Sequence, residues 1–112
     1  MNDSIDAAVE KFAQLARQQA QRAENLKQEQ DFTDFSSKEK IVIGICGGDG
    51  IGPVITAAAQ RILMRLLAGE SASGAVEFRV IEGLTIENRA AAHAAIPPDV
   101  LDEIKRCEVI LK

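Results

Sequence analysis

The chain contains no tryptophan and no tyrosine, a single histidine, two cysteines and three prolines. Each shortage excludes something. With four phenylalanines as its only large aromatic rings, it has few platforms on which nucleic-acid bases could stack. The formal net charge is −4 and Lys and Arg nowhere cluster, which argues against nucleic acid as a partner, because neutralising phosphates takes grouped cations. Cys46 and Cys107 lie far apart and belong to no CxxC or Cys/His pattern, so neither zinc nor a redox pair is signalled. Both adjoin apolar runs, and reduced thiols in or near a core are expected. No stretch approaches the length of a membrane span, so no membrane partner is expected. The start, Met1-Asn2-Asp3-Ser4, lacks the basic opening and apolar run of a secretory signal, and a cytoplasmic location is expected.

What is present suits a folded chain. Hydrophobic residues make up 46% and charged residues 27% of the 112 positions, ordinary proportions for one modest globular domain. Residues 1–30 read as a helical extension: Gln-, Ala-, Glu- and Arg-rich, free of Gly and Pro, with Ile5, Val9, Phe12, Ala16, Ala20 and Ala23 at three- and four-residue spacing. Asp3 or Ser4 is expected to cap it. The stripe thins to alanine after Phe12, which suits docking against a partner better than a long coiled coil. Residues 31–40 lose the period and read as a polar linker.

At Ile41 the character changes. Ile41-Val42-Ile43-Gly44-Ile45-Cys46 is a nearly continuous apolar run rich in β-branched side chains, as in a parallel strand buried on both faces. A glycine cluster, Gly47-Gly48-Asp49-Gly50-Ile51-Gly52, follows, and Pro53 opens a helix expected to about residue 68, with Ile55, Ala58, Ile62 and Leu66 on one face and Ala59, Leu63 and Leu67 broadening it. Residues 69–74 read as a Gly/Ser/Ala loop and residues 76–81 as a half-exposed second strand. Thr85 is placed to cap a short alanine-rich helix, Pro97-Pro98 opens another, and Val109-Ile110-Leu111 forms a third strand. Strand alternating with helix is the pattern of an α/β domain with a parallel sheet and right-handed crossovers.

The glycine turn is the place to look for chemistry. Ligands of parallel sheets bind beyond the carboxyl ends of the strands. Glycines let the backbone approach a ligand, and a helix start offers unpaired amides and a positive dipole end, so a polar or anionic ligand is favoured. The spacing Gly48-x-Gly50-x-Gly52 matches neither the GxGxxG dinucleotide pattern nor the phosphate loop.

The string Gly48-Asp49-Gly50-Ile51-Gly52-Pro53 after an apolar strand resembles the N-terminal signature of the β-decarboxylating dehydrogenases, the family of isocitrate and 3-isopropylmalate dehydrogenases. Gly83, Ile96-Pro97, Leu101-x-x-Ile104 and Cys107-Glu108-Val109-Ile110-Leu111-Lys112 continue the similarity, which covers residues 41–112. One departure stands out: the family usually has glutamate after the proline, and this chain has Val54. The resemblance implies a partial parallel sheet with crossover helices, incomplete as a dehydrogenase domain. It implies an enzyme that oxidises a 2-hydroxy acid with NAD or NADP and Mg²⁺ or Mn²⁺ and then loses CO₂. The cation would polarise the ketone and stabilise the enolate. In the family the substrate arginines, the catalytic tyrosine and lysine and the metal-binding aspartates follow the matching region, so the expectation is one piece of such an enzyme, without catalytic or metal-binding residues of its own and inactive alone. By the same resemblance Gly50, Ile51 and Gly52 lie against the cofactor, with Asp49 shaping the turn. Lys112 matches a basic residue near cofactor and substrate in isocitrate-type members, where isopropylmalate-type members more often carry leucine; its other reading is a solvated strand-end lysine. A complete enzyme of this family is typically a homodimer. Two other readings remain: a non-catalytic α/β module with an N-terminal assembly helix, and an anion-binding domain using residues 47–52 alone.

Asp49 reads first as a turn former rather than a metal ligand. His93, among alanines and without a carboxylate or cysteine partner, reads as a surface helix histidine. Asp99, Asp102 and Glu103 complement the dipole of the helix they open.

Overall fold

The computed structural model describes residues 2–29 and 32–112. Contacts divide the chain into two units between Asp34 and Phe35. The first contains one long helix, α1 (Asn2–Gln28), of whose residues none is buried. It begins before Asp3 and Ser4, so both sit inside the first turn instead of capping it, and Asp3 complements the helix dipole from there. Gln30 and Asp31, at the expected end of the helix and start of the linker, lie outside the described residues. Later in the expected linker, Phe35–Ser37 forms a single 3-10 turn.

The second unit is an α/β fold with a three-stranded sheet in the order β2-β1-β3, formed by β1 (Ile41–Cys46), β2 (Val76–Ile81) and β3 (Val109–Leu111). Both pairings are parallel: Ile41 sits beside Val76 and Cys46 beside Ile81, while Ile43 sits beside Val109 and Ile45 beside Leu111. Between β1 and β2 come α2 (Gly52–Leu66) and α3 (Ala68–Ser73). Between β2 and β3 come α4 (Ile86–Ala92) and α5 (Pro98–Lys105).

The alternating side chains of β1 serve two cores. On one face Ile43 and Ile45 join Val76, with Ile41, Phe78, Leu111 and Leu67 packed around them. On the other, Cys46 joins Ile81, Leu84 and Val100, backed by Ile104 and Cys107. Gly44 lies between β1's neighbours on this second face, where a Cβ would come within 2.8 Å of Ile110 and 2.9 Å of the Cys107 sulfur. Leu67 and Val100 thus mark the two crossovers on opposite faces. Crossovers that run in opposite directions along a sheet must do this if both are right-handed.

Two expectations need correcting. Residues 69–74 are not a loop. The backbone bends at Leu67 and takes another helical turn as α3, carried by Leu67 N–H to the Leu63 carbonyl and Ser71 N–H to the Leu67 carbonyl, both at 2.8 Å. Nothing in that stretch forbids helix, since it lacks proline, and the turn stops at Gly74 with φ of 83°. The packed face of α2 is only one side of the expected one: Thr56 is buried and Ala58, Ala59, Leu63 and Leu67 are partly covered, as the broader stripe anticipates, while Ile55, Ile62 and Leu66 are exposed. The helix is apolar on two sides, and its periodicity alone does not say which one meets the sheet.

Polar contacts tie the edges together. The Glu108 carboxylate accepts from Val42 N–H at 2.6 Å, Glu108 N–H donates to the Val42 carbonyl at 3.0 Å, and Lys38 lies 3.6 Å from the same carboxylate. Lys40 and Arg79 both pair with Glu77 across the start of β1 and β2.

Candidate functional site

The chain steps from β1 outward to β2, then reverses past β1 to β3. Ligands of such sheets bind where the strand order reverses, beyond the carboxyl ends. Here that place lies between the end of β1, where the 47–52 turn begins, and the end of β3, where Lys112 stands.

The turn is built by its glycines. Gly48 and Gly50 have φ of 66° and 62°, left-handed values that cost other residues energy. Gly52 is required for closeness: a Cβ there would overlap the carbonyl oxygen of Gly47. The turn closes with Gly52 N–H donating to the Asp49 carbonyl at 3.1 Å. Asp49 has a second task, since its carboxylate accepts from Ile86 N–H at 2.9 Å and satisfies the start of α4. Thr85 caps that same helix by accepting from Asn88 N–H at 3.3 Å. Asp49 is therefore a brace between the turn and α4, and among the described residues no three His, Cys, Asp or Glu side chains are grouped to hold a metal.

The backbone amides of Gly48, Asp49, Gly50 and Ile51 donate to no acceptor among the described residues. They stand just before α2, whose positive dipole end adds to their pull on an anion. Two cavities flank the turn. One, of about 340 Å³, lies towards α2 and is lined by Gly47, Gly48, Thr56, Gln60, Glu82 and Thr85 among others. The other, of about 550 Å³, lies towards α4 and α5 and gathers Gly48, Asp49 and Gly52 with Arg89 and Lys112.

Of the four residues singled out from sequence, Gly52 and Lys112 share the larger cavity. Gly50 and Ile51 line neither cavity; they form the outer crest of the turn, with Ile51 75% exposed. Arg89 was not foreseen. It sits in the short alanine-rich helix, and only the packing of α4 beside the turn brings it into the lining. Beneath the cavity Cys46 is buried, which pushes its thiol up from its ordinary pKa; nearby Cys107 adds to that and Lys112 opposes it. Burial likewise raises the Cys107 thiol. Both cysteines are free and neither is poised as a nucleophile. His93 ends α4 in a left-handed conformation with φ of 49°, exposed and away from the turn residues.

The arrangement can hold an anionic or polar group by unspent amides, a helix start and two cations at the mouth of a parallel sheet. Among the described residues no helix is long and apolar enough to cross a membrane. No family model, curated protein or solved structure matches the chain.

Proposed function

We propose that residues 41–112 form the cofactor side of an NAD- or NADP-dependent β-decarboxylating dehydrogenase of the isocitrate and 3-isopropylmalate type, acting in the cytoplasm. The observation that carries this reading is the turn 47–52 at the carboxyl end of the central parallel strand, with four unspent amides and Lys112 on an adjoining cavity. A dinucleotide fits such a place. Its pyrophosphate is an anion suited to free amides and the start of α2, and Arg89 and Lys112 offer charge-assisted contacts to phosphate or carboxylate oxygens. Ile51, exposed on the crest, presents an apolar side chain to a planar ring.

The substrate on this reading is a 2-hydroxy acid with a β-carboxylate, and Lys112, in place of the leucine common in isopropylmalate enzymes, favours isocitrate. The residues described here do not fit Mg²⁺ or Mn²⁺ by themselves, having no grouped carboxylate donors, and the reading assigns the metal ligands and the catalytic tyrosine to other parts of a complete enzyme. Binding without turnover is therefore expected of the chain.

Calorimetric titration of the chain with NAD, NADP and inorganic phosphate tests this. One dinucleotide should bind more tightly than phosphate, and Ile51→Glu, which replaces that apolar side chain by a carboxylate on an anion-holding turn, should weaken it at least about tenfold, or about 1.4 kcal/mol. Binding of neither dinucleotide would overturn the proposal, and phosphate binding alone would leave an anion-binding turn in its place.

A further inference from the structure

The helix α1 is graded along its length in two ways at once. Its apolar stripe starts with wide side chains, Ile5, Val9 and Phe12, narrows to Ala16, Ala20 and Ala23 and ends on Leu26, with Leu15 at its edge near the middle of the helix. Its charges are graded too: the first half carries Asp3, Asp6 and Glu10 against Lys11, and the second carries Arg17, Arg22 and Lys27 against Glu24. None of these apolar residues is buried, and Phe12 is 74% exposed. Local pairs such as Lys27 with Glu24 at 3.5 Å and Arg17 with Glu10 at 4.0 Å are surface contacts that leave the stripe uncovered.

We infer that α1 pairs with α1 of a second copy of this chain, antiparallel, through the Ile5-Val9-Phe12-Ala16-Ala20-Ala23 stripe. Both gradients select that occupant and that direction. Antiparallel pairing about a two-fold axis near residue 14 sets Ile5 over Ala23, Val9 close to Ala20 and Phe12 over Ala16, so each of these three layers joins a wide residue to a narrow one, Leu15 meets Ala13, and Leu26 lies outside them at the end of the pair. Parallel pairing would set Phe12 on Phe12 and alanine on alanine, forcing the helices apart at Phe12 and leaving a gap along Ala16, Ala20 and Ala23. Antiparallel pairing also brings the acidic half of each copy to the basic half of its partner, whereas parallel pairing joins like to like. A two-fold interface makes the same patch on each copy complementary to itself, as a helix with wide side chains from Ile5 to Phe12, narrow ones from Ala16 to Ala23, and charge graded from acidic to basic is.

The test is sedimentation of the full chain over a concentration series, with Phe12→Asp for comparison and circular dichroism of both to confirm that the α/β unit stays folded. The parent should sediment as a dimer at the upper concentrations, and the variant should fall to half that mass. Orientation is read by oxidative cross-linking: the double variant Ile5→Cys/Ala23→Cys should give a covalent dimer, and Ile5→Cys alone no more than the parent. A parent that stays monomeric throughout, or a dimer that Phe12→Asp leaves intact, would overturn the inference; cross-linking through Ile5→Cys alone would overturn the antiparallel arrangement.

Discussion

Gly52 lies against the carbonyl of Gly47 so closely that no side chain fits between them, and this contact sets the curvature of the turn that joins β1 to α2. Gly50, two residues earlier, has open space around it, with no atom within 4 Å of where a Cβ would stand. The two glycines are needed for different reasons, and alanine separates them. Gly50→Ala should cost only the left-handed backbone term of about 1–2 kcal/mol. Gly52→Ala must push backbone aside, costing about 1–3 kcal/mol or more, and should also distort the turn. Urea denaturation of the two variants checks the order, and equal losses would mean that the closeness of Gly52 is relieved cheaply.

Two adjacent residues at the carboxyl end of β2 separate inside from outside. Ile81 is buried at 1% exposure, whereas its neighbour Val80 is 54% exposed. Ile81→Ala should lose about 2–5 kcal/mol, and Val80→Ala about 0.5 kcal/mol or less. A large loss at Val80 would show that this end of the Val76-Phe78-Val80 face is covered in solution.

Asp49 spends its carboxylate on the first amide of α4. Asp49→Ala should cost about 0.5–2 kcal/mol, the range for losing a helix-start acceptor, and should loosen α4 and with it Arg89. Hydrogen exchange at Ile86 reports this directly, and an unchanged rate there would rule out the brace.

Glu108 gives the fold an acid-sensitive joint. The Val42 amide that its carboxylate accepts, assisted by Lys38, holds its pKa below the usual glutamate range. A lowered folded pKa means that the stabilisation is fully present above the unfolded value of about 4.3 and is lost as pH falls through the lowered folded value. Glu108→Gln should therefore be less stable than the parent at pH 7, with the gap closing at strongly acid pH. A gap that stays constant with pH would show that charge has no part in it.

The strands were legible because short apolar or alternating runs rich in β-branched side chains have few alternatives, and the parallel arrangement followed from strand alternating with helix. The face of α2 was legible only in part: Ala59, Leu63 and Leu67 were within the expected stripe, but Ile55, Ile62 and Leu66 form as good a one, and only packing chooses between them. For α3, glycine and serine composition spoke for loop while backbone hydrogen bonds carried the helix one turn further. At the site, the turn announced itself through its glycines. Arg89 did not, because its place depends on a chain reversal between α4 and the turn that leaves no local mark in the sequence.

The most direct measurement is an amide-resolved NMR titration of the chain with NAD and NADP. Dinucleotide binding at this turn predicts that the amide signals of Gly48, Asp49, Gly50 and Ile51 shift first and furthest, with Lys112 following, and that those of α1 stay still. Saturating shifts elsewhere in the chain with these four amides unmoved, or no shifts at all, would contradict it.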